Sequence, residues 1–371
     1  MPLKILFSES SPNLGGQELQ LLQQMTALKQ RGVAVKLACR PASGIYQAAS
    51  QRGLDVVPVA FRNSLHLPSI FRIRQLLHVW RPNVLVSHSG HDANVCGVAA
   101  RLVRHRPRTV RVRTYQHGMP HAWSYNWLAD LTLVPSLEMR ARILANPQIV
   151  PARIHVLYPG LDFAQIARDA QKTLPDHGAA WLVQHPGRLI AHAAMLRPEK
   201  GHLPMLESLA RLLPRFPDLR YAIAGEGEQR ATIERRITEL GIADHAFMAG
   251  MLQPVAPLLQ RAQLVIMPSL IEPLGMAQIE ALSLGVAVVA SDVDGIPETI
   301  VANQTGLLVA PGDVAAWVDA MAWALEHPER MAAMAAAGRA QVMERFSLEA
   351  NIARFLTLVQ AETAQQNEVK T

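Results

Sequence analysis

The sequence predicts an α/β protein with two doubly wound domains in series, each a parallel sheet covered by helices on both faces. Three observations lead to this expectation. The chain has 371 residues, more than a single hydrophobic core usually organises. Short apolar runs alternate with stretches whose apolar residues recur at helical spacing, which is typical of parallel sheets. This alternation stops over residues 166–186 and then begins again.

The first half contains seven short apolar runs bounded by polar or turn-forming residues, and we expect each to be a strand. They cover residues 4–8, 33–39, 55–60, 83–89, 109–114, 131–135 and 154–157. Amphipathic helices are expected between the earlier strands, at residues 17–31, 68–80 and 91–104. The first domain predicted in this way is Rossmann-like and spans residues 1–165.

The stretch 166–186 begins no clear strand and carries turn-forming residues, so it is interpreted as the connection between domains. A second Rossmann-like domain is expected at residues 186–345, with strands at 189–195, 220–224, 246–249, 264–267 and 287–291. Residues 346–371 are expected to form a helix that packs back on the first domain, followed by a flexible tail. Doubly wound domains bind ligands at the carboxyl ends of their strands, so the cleft between the domains is the expected active site.

Composition excludes several classes of protein. The two cysteines, Cys39 and Cys96, have no metal-ligand spacing and are too few for a disulfide framework. No apolar run approaches the roughly 18 residues that cross a membrane. We therefore expect a soluble cytoplasmic protein.

Charge is distributed unevenly along the chain. Residues 1–160 contain 19 Lys/Arg and 6 Asp/Glu, a net charge of +13, whereas the remainder contains 17 and 24, a net charge of −7. Six arginines fall between Arg101 and Arg113 with no acid among them. This asymmetry predicts that the first domain faces an anionic membrane surface or a phosphate-bearing lipid. A scattered solvated surface is the alternative, and no nucleic-acid partner is expected because no nucleic-acid-binding module accompanies the charge.

Two adjacent glycines, Gly15 and Gly16, lie between the first strand and the first helix. Glycines at this position let backbone amides approach a phosphate at the positive end of a helix. The spacing fits neither a dinucleotide fingerprint nor a Walker loop, so a plain tight turn is an equal alternative.

The second half carries a stronger pattern after the strand at 264–267. Glu272 lies in the loop, Gly275 opens a helix whose amides are suited to a diphosphate, and Glu280 follows about two turns later. Both glutamates are expected to face the binding edge along one line, although two solvated glutamates are the simpler alternative.

These residues resemble the GT-4 family of retaining glycosyltransferases, which have the GT-B fold. The resemblance extends over residues 2–360, and its strongest element is the pair of glutamates at Glu272 and Glu280 with Gly275 between them. Further segments stand in the family's order and spacing at residues 198–201, 225–227, 247–250, 281–285, 288–291, 295–298 and 305–309. The resemblance implies transfer of a sugar from a nucleotide-diphosphate donor to a glycan or lipid-linked acceptor, in polysaccharide or lipopolysaccharide biosynthesis.

The resemblance also implies roles for individual residues. Glu280 would accept hydrogen bonds from the donor ribose, Glu272 would lie by the transferred sugar, and Lys200 would pair with the diphosphate. Further residues implied in donor binding or catalysis are Gly15, Gly16, His117, Gly225, Leu274, Gly275 and Met276.

The chain departs from the family pattern at three places. Ala194-Met195-Leu196 stands where the family has Gly-Arg-Leu, so the diphosphate arginine is absent, and Arg197 is the candidate replacement. Leu274 replaces the commoner phenylalanine, and Pro159 replaces the commoner asparagine. These departures leave the donor's identity, with a UDP or a GDP carrier, undecided.

No metal or resident cofactor is expected. Asp292 and Asp294 match the D-x-D pattern of another transferase class, but they lie in a segment that the GT-4 resemblance already explains. The fourteen histidines form no H-E-x-x-H pattern. Trp123 and Trp127 follow His117 closely, and their loop is interpreted as an acceptor or membrane-interface loop, with core packing as the alternative.

Two other functions remain open from the sequence. The first is a nucleotide-sugar 2-epimerase, and the second is a non-catalytic basic protein that binds lipid or RNA. The preferred hypothesis is a metal-independent glycosyltransferase that is peripheral on the inner face of the cytoplasmic membrane. The sugar, the acceptor, the linkage and the oligomeric state stay undetermined.

Overall fold

The computed structural model describes residues 3–115 and 118–360 and divides the chain into two compact units. The first unit runs to Leu161 and resumes at Leu348, and the second is Asp162–Ser347. None of the described helices is long and apolar enough to cross a membrane.

The described part of the first unit contains a seven-stranded parallel sheet in the order β3-β2-β1-β4-β5-β6-β7. Its strands β1 to β7 are Lys4–Glu9, Ala34–Cys39, Asp55–Pro58, Val84–Ser87, Arg108–Val112, Leu131–Val134 and Ile154–Val156. Seven of the predicted strands are therefore confirmed within a few residues. Strand order reverses between β1 and β4, which makes their carboxyl ends the topological switch point of this unit.

Helices cover both faces of this sheet. Successive side chains of a strand point to opposite faces, and apolar side chains on both faces need cover from solvent. Ile5 and Phe7 of β1 enter one core, whereas Leu6 enters the core on the other face. The helices α1 to α6 are Gly16–Gln30, Gly44–Gln51, Leu67–Trp80, Gly90–Arg101, Ala122–Asn126 and Leu137–Leu144.

The second unit contains a six-stranded parallel sheet among its described residues, in the order β10-β9-β8-β11-β12-β13. The strands β8 to β13 are Arg188–Ala193, Leu219–Ala224, Ala246–Gly250, Leu264–Met267, Ala287–Ser291 and Leu307–Val309. The helices α7 to α14 are Phe163–Ala170, Asp176–Gln184, His202–Leu212, Arg230–Glu239, Ala256–Arg261, Ala277–Ser283, Val314–Glu326 and Pro328–Arg345. Its switch point lies between β8 and β11.

The stretch 166–186, interpreted from the sequence as the connection between domains, is largely helical. It contains most of α7 and all of α8, and both helices belong to the second unit. Trp181 of α8 stacks on Phe247 of β10 with ring centroids 5.0 Å apart. Pro175 does not interrupt α8, because it lies immediately before the helix, where a missing N–H costs nothing.

The final helix α15, Leu348–Gln360, completes the core of the first unit. Phe355 stacks on Phe7 with ring centroids 6.3 Å apart, and the Asn351 side-chain amide donates to Tyr158 O at 2.6 Å. A Cβ atom on Gly160 would lie 2.5 Å from Asn351 Cβ. Gly160 is therefore required for the close approach of α15.

The arginines between Arg101 and Arg113 do not form the continuous exposed patch that their sequence predicted. Arg111 is buried with its guanidinium 4.5 Å from the centre of the Tyr125 ring, and Arg106 forms an ion pair with Asp130. Arg101, Arg108 and Arg113 are partly buried, which leaves Arg104 and Arg106 as the exposed members. A count of charges along a sequence does not show which side chains are buried, because alternate residues of a strand point to opposite faces of the sheet.

Candidate active site

Four loops meet at the carboxyl edge of the second sheet, and glycines allow them to pack closely. A Cβ atom on Gly201 would lie 1.9 Å from Pro268 O, and one on Gly295 would lie 2.0 Å from Pro273 O. Gly225 follows the same principle, because its Cβ would lie 1.9 Å from Ala194 O. The Gly225 N–H also donates a hydrogen bond to Gly250 O at 2.8 Å. Loop packing therefore explains why glycine stands here, without any contact to the nucleotide sugar.

Lys200 and Glu272 meet at the switch point of the second unit. Lys200 ends a short 3₁₀ turn after β8, and Glu272 lies in the loop after β11. Lys200 Nζ is 2.6 Å from Glu272 Oε2, and Ser269 Oγ donates to the same oxygen at 3.2 Å. Glu272 is only 7% exposed. The structure thus brings together two residues that the family resemblance assigned to different parts of the donor.

The loop after Glu272 contains two amides without a protein acceptor. Gly275 has φ +86°, and the Gln278 side chain occupies the space that a Cβ at Gly275 would need. Within the described chain, the N–H groups of Leu274 and Gly275 donate to no protein acceptor. Both residues are buried, and buried N–H groups require a partner. Unpaired amides beside a lysine fit an anionic ligand such as a diphosphate.

Glu280 lies closer to this loop than the sequence predicted. Helix α12 begins at Ala277, so Glu280 is in its first turn and not two turns along the helix. The side chain is largely buried although part of it is accessible, and this burial, with a smaller contribution from Asp169, raises its pKa to about 7. A carboxyl group with a raised pKa, in the first turn of the helix that follows the unpaired amides, is a candidate for a functional site.

Arg197 lies at the edge of the same site. Its side chain is 55% exposed and its guanidinium is 3.9 Å from Glu199, too weak a contact to fix its direction. Met195, at the position of the family's arginine, is 40% exposed. The assignment of Arg197 as a replacement for that arginine stays a prediction.

Two histidines behind Lys200 were not predicted as site residues. His192 and His202 stack with ring centroids 4.2 Å apart, and His202 Nε2 donates to Met195 O at 3.2 Å. Burial and the charge of Lys200 lower the pKa of both, that of His202 to about 4. Both rings are neutral at pH 7, so Lys200 is the cation of this cluster. The position of His202, two residues after Lys200, is the only sequence signal for this pair.

Gly15 and Gly16, the predicted phosphate-binding glycines of the first unit, differ in their surroundings. The Gly15 N–H donates to Glu18 Oε2 at 2.7 Å, so this amide has a carboxylate partner within the protein, and a phosphate contact at Gly15 stays a prediction. A Cβ on Gly16 would meet no protein atom within 4 Å, so nothing in the described fold requires glycine there. His117 lies outside the described residues.

A buried carboxylate network occupies the switch point of the first unit. Asp92 accepts from Ser8 Oγ at 2.6 Å and from the His88 and Ser89 amides, and Glu9 accepts from Gln17 Nε2 at 2.8 Å. Burial and, secondly, the nearby Glu9 raise the pKa of Asp92 to about 8. The network fixes the loops that follow β1 and β4. Beside it lies a cavity of about 80 Å³ with an amide-rich lining that includes Gln17, Gln20, Gln24 and Asn351.

Asp294 holds two loops together, whereas Asp292 is exposed. Asp294 Oδ2 accepts the Glu272 N–H at 2.9 Å, which holds the loop after β12 against the loop after β11. Among the described residues, no group of three or more His, Cys, Asp or Glu side chains has a metal-binding arrangement.

Comparison with known proteins identifies the family. The model for glycosyl transferases group 1 matches residues 179–341, and the model for glycosyltransferase family 4 matches residues 14–165. The D-inositol 3-phosphate glycosyltransferase of Segniliparus rotundus is 32% identical over 380 residues, covering 91% of this chain and 82% of the relative. The chain belongs to the group 1 glycosyltransferases.

Other relatives of this glycosyltransferase family match over shorter regions. The GDP-mannose-dependent alpha-(1-6)-phosphatidylinositol monomannoside mannosyltransferase of Mycolicibacterium smegmatis is 31% identical over 62% of each chain. The alignment thus spans less than two thirds of that relative. The lipopolysaccharide core biosynthesis mannosyltransferase LpsB of Rhizobium meliloti is 30% identical over 76% of this chain and 82% of the relative.

Solved structures show that the fold is GT-B. The Anabaena Alr3699/HepE structure in complex with UDP-glucose aligns with a TM-score of 0.81 at 21% identity, covering 96% of this chain and 99% of that one. The two parallel-sheet units predicted from the sequence are confirmed by this likeness.

Proposed function

We propose that this group 1 glycosyltransferase moves a sugar, with retention, from a nucleotide-diphosphate sugar to a glycan or lipid-linked acceptor. The single observation that carries the proposal is the Lys200–Glu272 pair beside the unpaired amides of Leu274 and Gly275. A cation and unpaired amides stabilise the charge of a departing diphosphate, and a buried carboxylate accepts hydrogen bonds from sugar hydroxyls. The proposed mechanism uses no metal ion.

Donor binding would rearrange the Lys200–Glu272 pair. The diphosphate would attract Lys200 Nζ, and Glu272 Oε2 would then be released to accept a hydroxyl of the sugar. A buried carboxylate that has lost its cation is unfavourable in free energy. The sugar hydroxyl would therefore take the place of Lys200 as the hydrogen-bond partner of Glu272. This exchange would couple recognition of the sugar to recognition of the diphosphate.

The chemical step exchanges one bond of the sugar for another. The bond between the anomeric carbon and the diphosphate oxygen breaks, and the bond to the acceptor oxygen forms on the same face. The acceptor proton passes to the departing phosphate, and the nucleoside diphosphate leaves. Lys200 and the amides of Leu274 and Gly275 would stabilise the charge that develops on the phosphate.

The nucleotide would be held at Glu280, whose carboxylate would accept hydrogen bonds from the ribose hydroxyls. The name of the M. smegmatis relative specifies GDP-mannose, and the Anabaena structure contains UDP-glucose. Both carriers present the same ribose and diphosphate, so these contacts do not select between them. Hydrolysis of a panel of UDP- and GDP-sugars, followed by anomeric NMR of the product, tests donor and stereochemistry together. No hydrolysis of any donor, or an inverted product, contradicts the proposal.

For the acceptor, we favour a lipid-linked or lipopolysaccharide-type glycan at the inner face of the cytoplasmic membrane. Two relatives support this choice, since their names specify a phosphatidylinositol mannoside and the lipopolysaccharide core. The excess of arginine in the first unit supports peripheral attachment to an anionic membrane. The 2-epimerase alternative is not favoured, because the relatives named above are glycosyltransferases. An NMR time course with donor alone separates the two activities.

A further inference from the structure

The outer face of α3 combines large apolar side chains with arginine. Leu67, Phe71 and Val79 are 63%, 61% and 75% exposed, and they lie on one line at four-residue spacing with Gln75. The exposed Arg72 and Arg74 flank this line on either side. The opposite side of the helix is buried through Ile70, Ile73 and Leu77. The exposed apolar side chains are therefore additional to those needed for folding.

The same surface continues across the end of α4 to Trp127, which follows α5 directly. Arg74 Nε donates to Leu102 O at 3.1 Å, and Leu102 is 53% exposed. The neighbouring Arg101 lies over the Trp127 ring at 5.0 Å, and Trp127 is 49% exposed. We call this surface the docking face; it comprises Leu67, Phe71, Arg72, Arg74, Val79, Leu102 and Trp127.

The charge around the docking face is mainly positive, although Asp130 pairs with Arg106 and interacts with Arg101. Residues 56–129 contain ten arginines and one acid, Asp92, and that carboxyl group is fully buried. Among the described residues of this stretch, the exposed arginines without an ion-pair partner are Arg62, Arg72, Arg74, Arg81 and Arg104. Exposed apolar groups flanked by unpaired cations are complementary to an anionic bilayer, which offers acyl chains and phosphate together.

We propose that the docking face binds the surface of an anionic lipid bilayer, with the apolar line of α3 at the headgroup level. The inference rests on the proposed function, because a membrane-bound acceptor gives the attachment its purpose. It differs from the prediction based on Arg101–Arg113, since most of that run is not exposed. Attachment through one helix face would be reversible and sensitive to salt.

The first test is flotation of the full chain with vesicles of phosphatidylcholine, alone or mixed with phosphatidylglycerol. We expect the protein to float only with the mixed vesicles at low salt and to be released at high salt. Equal binding to both vesicles, or binding to neither, overturns the proposal.

The second test compares matched variants in that assay. The doubles Leu67→Gln/Phe71→Gln and Arg72→Gln/Arg74→Gln should each lower the vesicle partition coefficient about tenfold or more. Val183→Gln, at an 81% exposed position of α8, and Arg211→Gln/Arg339→Gln, at exposed positions of α9 and α14, are the controls and should bind as the wild type. Wild-type binding by both doubles overturns the proposal. If the apolar double melts early, Val79→Gln and Leu102→Gln replace it.

Two further measurements separate this inference from others. Hydrolysis of the nucleotide sugar without vesicles should be unchanged in the docking-face variants. If the wild type hydrolyses no nucleotide sugar, the proposed function is contradicted, and flotation alone then decides whether the docking face binds membranes. Sedimentation of the wild type and both double variants measures the oligomeric state, and so tests whether a second copy of the chain occupies the docking face. A wild-type dimer that the doubles convert to monomer, without vesicle binding, assigns the face to a second copy and overturns the proposal.

Discussion

At the scale of single residues, Lys200 and Glu272 are informative because each is the main partner of the other. Their loops are 72 positions apart in the chain, and they meet because β8 and β11 are neighbours at the switch point. An ion pair that is nearly enclosed contributes little net stability, but removing one partner leaves an uncompensated charge. Such a pair is well suited to open for a ligand that carries both a phosphate and hydroxyl groups.

The glutamates that flank Gly275 should have separable effects. We expect Glu272→Gln mainly to lower kcat and Glu280→Gln mainly to weaken donor binding, because one is placed for the sugar and the other for the ribose. A lost charged hydrogen-bond acceptor costs about 1.5–3 kcal/mol, which corresponds to about 10- to 150-fold. Steady-state kinetics and donor titration measure the two effects, with Glu344→Gln on the exposed surface of α14 as control. Wild-type values for both site variants would refute the assignment.

Glu280 should make stability depend on pH. Its folded pKa of about 7 lies above the ordinary value of 4.5, so its contribution to stability is fully present below about pH 4.5 and is lost as pH rises through 7. We expect Glu280→Gln to stabilise the second unit relative to the wild type at about pH 8 and less so at about pH 5. Denaturant unfolding at both values measures the difference. A difference that does not change with pH would argue against a raised pKa.

At the scale of elements, the alternation of apolar runs with amphipathic stretches was sufficient to predict twelve strands. It did not predict β13, which has three residues, or α8, whose contact with β10 depends on Trp181 and Phe247 from distant segments. The glutamates after β11 were identified from the strand–loop–helix pattern, and Lys200 after β8 through the family resemblance. The ion pair between Lys200 and Glu272 and the burial of Arg111 were not predicted, because both depend on which side chains meet in the folded chain.

Gly16 and Gly338 provide an opposed pair of substitutions within helices. A Cβ on Gly16 meets no protein atom, so Gly16→Ala should leave stability unchanged or raise it by up to about 1 kcal/mol. A Cβ on Gly338 would lie 2.7 Å from Leu282 Cδ2, so Gly338→Ala should destabilise the second unit by about 1–3 kcal/mol. Thermal unfolding measures both changes.

Activity then decides what Gly16 does. If a substrate approaches the backbone at Gly16, the Gly16→Ala variant should lose transferase activity while it keeps its stability. Full activity in a stable Gly16→Ala variant would show that the glycine only forms a turn.

At the scale of the whole molecule, the two units have different electrostatic character. The arginine-rich first unit carries a docking face and a buried carboxylate network, and the second carries Lys200 with unpaired amides. Each unit places its polar residues at the switch point of its own sheet, as expected for doubly wound folds.

Activity should not require a divalent metal ion. Lys200 and the amides of Leu274 and Gly275 supply the positive charge that a diphosphate needs as it leaves. We expect initial rates to be unchanged after treatment with EDTA and dialysis. Loss of activity that manganese restores would contradict this expectation and direct attention to Asp292 and Asp294.

The discontinuity of the first unit has a consequence for synthesis on the ribosome. The chain leaves this unit at Leu161 and returns at Leu348, and Phe355 then stacks on Phe7. The core on the face of Ile5 and Phe7 is therefore incomplete until α15 has emerged, although the seven strands are made first. The second unit is contiguous and is complete before α15 is translated. The unit whose synthesis begins first is thus the last to be completed, and until then the apolar surface that α15 covers is exposed and prone to aggregation.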